Sequence, residues 1–157
     1  MNQVIFISGT PCVGKTTLAS ELSKRLGANL VRVNELAISN DLVLGIDNKK
    51  GYKIIDIHEL DVVLGEIIDN LDSDKLLIVE GHLSHLCNGA DKVIILRVHP
   101  SILEERLAGR KYSDSKIREN LEAEALDVCG AEAYEAYGED VCEIDVSDLS
   151  IDETINL

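Results

Sequence analysis

The chain has no tryptophan, one phenylalanine and four tyrosines in 157 residues. Aromatic rings therefore cannot build its core, and Ile, Val and Leu must. Proline is limited to two positions, and no Pro-rich linker, repeat or low-complexity tract interrupts the chain. That leaves no natural boundary, and this length suits one domain with a single core. No run of about 18 apolar residues exists, which excludes a membrane-spanning helix. The opening "MNQVIFISG" lacks the charged start of a secretion signal, so a cytoplasmic location is expected. The four cysteines, Cys12, Cys87, Cys129 and Cys142, show no C-x-x-C spacing. That argues against a structural zinc site, and four free thiols are expected.

Positive charge is missing from one quarter of the sequence. Residues 1–118 hold 16 acidic and 15 basic residues, whereas 119–157 hold 13 acidic residues and no Lys or Arg. The net charge of -14 thus resides almost wholly in the last quarter. Such a surface repels phosphate backbones, whose neutralisation needs clustered Lys and Arg. It attracts basic proteins, chiefly by speeding encounter. A solvated helix face is the plainer reading of the same charges. With 45% hydrophobic and 28% charged residues, the chain is an ordinary globular one rather than a disordered one.

What is present is an alternation of apolar runs and helical patterns, the signature of a parallel sheet with crossover helices. "QVIFIS", "NLVRV", "KLLIVEG", "KVIILRV" and "VCEIDVS" read as five strands. Leu18, Leu22 and Leu26 give the first helix an apolar stripe, and Gly27 ends it. Residues 34–53 are less regular. Leu60, Val63, Leu64, Ile67 and Leu71 mark one side of a second helix. Pro100 opens a third at its first turn, and 114–137 reads as one long helix. The expected architecture is a single three-layer α/β domain with a five-stranded parallel sheet flanked by helices.

Between the first strand and first helix lies "GTPCVGKTT". Gly9 to Thr16 fits G-x-x-x-x-G-K-[ST], the phosphate-binding loop pattern. Gly9 and Gly14 permit the tight path that turns backbone N–H groups toward phosphate oxygens. The helix N-terminus adds its positive end. Lys15 reaches the β- and γ-phosphates of ATP, and the Thr16 hydroxyl ligates Mg²⁺. Cys12 contributes only a backbone N–H. Glu80, ending the buried strand "KLLIVEG", suits an acid that orders Mg²⁺ through water. His82, just beyond it, sits where open α/β folds bind ligands, and His85 is a weaker candidate. Arg106, Arg110, Lys111, Lys116 and Arg118 gather within 13 residues. Mobile cations of this kind neutralise a transferring phosphoryl group and exclude water. Salt bridges to Glu104 and Glu105 are the structural alternative.

These motifs together resemble the small adenylate kinases of archaea and eukaryotes known as adenylate kinase isoenzyme 6, or coilin-interacting nuclear ATPase. The carriers are "GTPCVGKTT", "VEGHLSH" and "ERLAGRKYSDSKIRENLEAE", with "IID" ending at Asp56. The resemblance implies an adenylate-kinase-like P-loop NTPase fold across 1–157, with a monophosphate-binding region at about 29–56 and a short lid at about 108–116. It implies Cys12, Gly14, Lys15, Thr16, Thr17 and Arg110 as ATP-binding positions. It further implies Lys15, His82, Arg106 and Arg110 as catalytic groups, with Thr16 and Glu80 serving Mg²⁺. The implied activities are reversible phosphoryl transfer from MgATP to AMP, and ATP hydrolysis. A link to small-subunit ribosomal RNA maturation, through a basic platform ribosomal protein on the acidic residues 119–157, is implied as well. Direct RNA contact is left open. An ATP-switched assembly factor with little AMP kinase activity is the alternative, and a shikimate- or nucleoside-type kinase a third reading.

Three positions depart from the family pattern. Glu80 stands for an aspartate, Lys111 for a glycine after the lid arginine, and Ile38 for an arginine that would hold the AMP phosphate. An isoleucine cannot make the paired charge-assisted bonds of a guanidinium. Arg32, Lys49, Lys50 or Lys53 are the candidate substitutes.

Overall fold

The computed structural model describes residues 3–10, 14–47, 52–71, 75–110 and 113–147; for 44–47 and 52–54 it describes the backbone alone. In chain order the elements begin with β1 (Gln3–Ser8), α1 (Lys15–Leu26), β2 (Asn29–Arg32), α2 (Val33–Ser39), β3 (Val43–Asp47), β4 (Tyr52–Ile55) and α3 (Ile57–Asp69). They continue with β5 (Leu76–Glu80), β6 (Lys92–Arg97), α4 (Pro100–Gly109), α5 (Asp114–Ala125), α6 (Val128–Tyr137) and β7 (Val141–Asp145).

The five expected strands form one parallel sheet in the order β2-β5-β1-β6-β7. Its interior strands alternate between two buried clusters, as the two-residue period of a strand requires. Val4 and Phe6, Leu77 and Val79, and Val93 and Ile95 face one side with Leu60 and Leu64 of α3. Ile7, Ile78 and Leu96 face the other with Leu18 of α1 and Leu103 and Leu107 of α4. Aliphatic side chains thus fill both layers. The single Phe6 meets Tyr137 edge-on, with ring centroids 6.3 Å apart, and the Tyr137 hydroxyl donates to the Cys87 carbonyl.

Four details differ from the sequence-based expectation. β2 ends at Arg32, and Val33 opens α2, because Val33 and Ala37 are buried one turn apart. The irregular 34–53 region contains that helix and an antiparallel β3–β4 hairpin. The expected helix 114–137 is two helices, broken at Asp127, which adopts a left-handed conformation (φ 52°) and caps α6 by accepting from Gly130 N. Short polar Asp tolerates that conformation better than most residues. Leu26 is exposed, because the buried face of α1 runs through Leu18, Ala19 and Ser23 instead. Pro100 occupies the first turn of α4 as expected, and Asp56 caps α3 by accepting from Glu59 N.

Candidate active site

The carboxyl ends of β1 and β5 lie side by side, with Ile7 paired in register with Glu80. Everything that follows those two strands is tied together there. Gly81 N donates to Ile7 O at 3.0 Å, and the Ser84 hydroxyl donates to both Ile7 O (3.1 Å) and Gly81 O (2.8 Å). The turn carrying His82 is thereby fastened to the strand that feeds the phosphate loop. Gly81 is required by a close approach: at φ 155°, a Cβ would stand 2.7 Å from Cβ of Val33.

Gly14 precedes α1 in a left-handed conformation (φ 101°), and a Cβ built there meets no atom within 4 Å. Lys15 is only 8% exposed. Its ammonium donates to the carbonyls of Gly9 (2.9 Å) and Thr10 (3.0 Å), so the loop backbone holds it in place. Thr16 Oγ1 donates to Glu80 Oε1 at 3.1 Å, and Glu80 is itself buried. One hydroxyl and one carboxylate are the kind of sparse oxygen set with which Mg²⁺ binds alongside substrate phosphates. Among the described residues no group of three or more His, Cys, Asp or Glu could hold a metal by itself.

His82 lies against this group. Burial, then the charges of Lys15, His85 and Lys116, push its pKa down to about 4. Its imidazole is neutral at pH 7, so it offers one donor and one acceptor rather than a charge. His85 is buried, with Nδ1 2.6 Å from Ser8 Oγ and Nε2 3.1 Å from Glu132 Oε1. Burial lowers its pKa, against the raising influence of Glu132. A hydroxyl–imidazole–carboxylate chain of this kind serves nucleophilic catalysis elsewhere. Here Ser8 is fully buried, which denies a substrate access to its oxygen.

Arg106 and Arg110 occupy the last turn and the C-cap of α4, both exposed, where the chain leads into the short link to α5. Thr17 is exposed on the first turn of α1. Ile38 is exposed on α2. Of its candidate substitutes, Arg32 is held by Glu35 (3.3 Å) and Ser20 (2.9 Å). Lys53 lies in β4, and Lys49, Lys50, Lys111 and Cys12 lie outside the described residues. The other thiols are free; burial raises Cys87 to about 12 and Cys129 to about 11, so both stay protonated at neutral pH.

The sequence reading missed a second polar cluster beside the loop. Glu124 of α5 is 2% exposed. It accepts from Arg97 Nε (3.0 Å), Val98 N (3.0 Å) and Thr10 Oγ1 (3.4 Å), and its carbonyl accepts from Arg97 Nη2 (2.7 Å). Arg97 also pairs with Asp127 (2.9 Å) and Glu143 (3.4 Å). Burial opposes the Arg97 charge, but Glu124 and Asp127 outweigh it and raise its pKa. The findable signal was the stripe Lys116, Asn120 and Glu124, three polar residues at i, i+4 and i+8 on one face of a helix. Asn120 and Glu124 are both buried.

Glu143 shares a hydrogen bond with Asp127; that bond, burial and the Asp127 charge lift its pKa to about 7, against the pull of Arg97. The folded protein therefore holds a proton that the unfolded chain releases near pH 4.5. Stability from this proton is present below about 4.5 and lost as pH rises through 7. Glu143→Gln should accordingly unfold at a higher temperature than wild type at pH 8, and the gap should close toward pH 5. Parallel midpoints at every pH would contradict the shared proton.

The strand order, the glycine turn into a helix and the Lys15–Thr16–Glu80 set define a P-loop NTPase fold of the kinase type. Solved structures of low sequence identity share it. The YorR protein of Bacillus subtilis, in complex with phosphorylated GDP, superposes with a TM-score of 0.63 at 19% identity, over 98% of this chain and 92% of that one. A gluconokinase of Sinorhizobium meliloti gives 0.60 at 16% identity, over 98% and 87%. The chain belongs to the AAA domain family, which matches residues 5–127. It is also similar to archaeal proteins named "Putative adenylate kinase". One from Methanothermobacter thermautotrophicus is 47% identical over 154 residues, covering 98% of this chain and 86% of that protein. One from Thermococcus gammatolerans is 40% identical over 156 residues, covering 98% and 81%. No helix among the described residues is long and apolar enough to cross a membrane.

Proposed function

We propose that this protein is a nucleoside monophosphate kinase of the adenylate kinase type, moving a phosphoryl group between MgATP and AMP, and that it also has ATPase activity. The observation that carries this is the buried Lys15 ammonium, held by two loop carbonyls beside a Thr16–Glu80 pair. The names of its archaeal relatives point the same way. MgATP, as substrate, brings the phosphoryl group and its metal. Gly14, Lys15, Thr16, Thr17 and the backbone of Cys12 cradle its phosphates. Thr16 binds Mg²⁺, and Glu80 orders the metal's water shell. Lys15 exchanges its two carbonyls for phosphate oxygens and stabilises their charge as it shifts. His82, neutral at pH 7, orients the attacking oxygen through a hydrogen bond. Arg110, in the lid at about 108–116, and Arg106, just before it, close over the transferring group and exclude water. The segment at about 29–56 receives the monophosphate.

The test is ADP formation from ATP with and without AMP, with Lys15→Ala as control. The expected result is an AMP-dependent rate well above the AMP-independent one. Absence of AMP-dependent ADP at high enzyme concentration would sink the kinase assignment.

The charge division favours a second role, as an assembly factor in small ribosomal subunit and rRNA maturation. Part of the acidity is used internally, since Glu124, Asp127 and Glu143 face Arg97, Glu132 faces His85, and Asp140 faces Lys92. Glu122, Glu135 and Glu139 remain exposed and suit a basic platform ribosomal protein. A pull-down at low and high salt decides: salt-sensitive capture supports the role, and no capture at low salt removes it.

A further inference from the structure

Thr10 is buried at 2% exposure, yet it sits inside the phosphate loop. Its two polar ends reach in different directions. Its carbonyl accepts from the Lys15 ammonium at 3.0 Å. Its hydroxyl donates to Glu124 Oε1 at 3.4 Å. Glu124 is not free to follow the loop. Oε1 also takes Arg97 Nε, Oε2 takes Val98 N, and the Glu124 carbonyl takes Arg97 Nη2. The carboxylate is thus fixed to the carboxyl end of β6 while belonging to α5, the helix that follows the lid link.

We infer that Glu124 is a positioning residue for nucleotide binding, acting through the Thr10 hydroxyl to hold the loop segment that presents Lys15. The inference rests on the nucleotide-binding reading above and deepens it. A loop held from outside needs little ordering when phosphate arrives, so its anchoring is realised as affinity. The same contact links α5 to the loop. Lys116, in the first turn of α5, acts electrostatically on His82, and Glu124, two turns on, reaches Thr10. One face of α5 therefore spans the site from the lid end to the loop, and a shift of that helix reaches Lys15 through two hydrogen bonds, one from the Thr10 hydroxyl to Glu124 and one from the ammonium to the Thr10 carbonyl.

The decisive substitutions are at Thr10, where shape and hydroxyl separate. Thr10→Val keeps the branched shape and removes the donor; Thr10→Ser keeps the donor. Binding of MgATP by titration calorimetry, with the unfolding midpoint of each sample, is the readout. At 3.4 Å this bond is longer than the usual O–H···O range, so its worth is that of an ordinary hydrogen bond. Thr10→Val should weaken MgATP about fivefold, which corresponds to about 1 kcal/mol, and Thr10→Ser should bind within about twofold of wild type. Glu124→Ala, which removes the acceptor altogether, should weaken binding alone and add nothing to Thr10→Val, because the same link is broken in both cases. If Glu124→Ala does not fold, the Thr10 pair decides alone. A merely structural threonine would lower the midpoint in Thr10→Val and leave MgATP affinity unchanged, which overturns the inference. Equal weakening in Thr10→Ser and Thr10→Val overturns it too. Wild-type protein that leaves MgATP unbound overturns the nucleotide reading itself, and this inference with it.

Discussion

Replacing Lys15 by alanine should reduce ADP formation by about 10³-fold while leaving the protein folded. The size follows from the place of the charge. Removal of one preorganised donor that stabilises developing charge costs about 10²–10³ in rate, and Lys15 supplies a full charge in a site where water is scarce. Its ammonium rests on the Gly9 and Thr10 carbonyls at 2.9 and 3.0 Å. The loop is thus built around the lysine before any nucleotide arrives. Alanine leaves a space where the ammonium was, and water entering it can satisfy the two carbonyls, so the unfolding midpoint should change little. Nucleotide turnover within tenfold of wild type would remove Lys15 from the chemistry and, with it, the kinase reading. A collapsed midpoint would show that the lysine holds the fold instead.

Arg97→Met should lower the unfolding midpoint by roughly 10 °C at pH 8. Arg97 faces Glu124, Asp127 and Glu143, on three separate elements. Methionine preserves much of the stem's volume but leaves these acids facing one another. Breaking a buried ion pair from one side typically costs about 3–5 kcal/mol. At about 2–4 °C per kcal/mol for a chain of this size, a shift near 10 °C follows. The deficit should shrink toward pH 5, because the carboxyls then accept protons in place of the missing guanidinium. The first of them to do so is the Glu143–Asp127 pair, whose proton is already held up to about pH 7. Unfolding curves at the two pH values are the check. A deficit independent of pH would mean that Arg97 contributes packing rather than charge.

The parts of the fold that periodicity and glycines encode were legible. All five sheet strands, the helix after the loop and Pro100 could be read from local pattern. Helix α2 and the β3–β4 hairpin could not, because 34–53 mixes apolar and polar residues without a sustained period. The break at Asp127 was hidden for a different reason. Residues on both sides have good helical patterns, and the turn is stabilised by Gly130 and by Arg97, the latter from 30 positions earlier. At Gly130 a Cβ would displace the carboxylates of Asp127 and Glu143. The site divides in the same way. Lys15, Thr16, Glu80 and His82 follow strand ends in a recognisable motif. Thr10–Glu124 and Ser8–His85 join residues 114 and 77 positions apart, and no local pattern announces a partner at that range.

Gly81 carries a consequence for motion. Helix α2 rests through Val33 on the bare backbone between Glu80 and His82, with no side chain interposed. The contact works as a bearing without a lubricating layer. A tilt of α2 has no flexible side chain at that point to absorb it, so it bears directly on the turn between the acid and the imidazole. Even one added methyl group at position 81 is a wedge, and it would set the two halves of the site further apart.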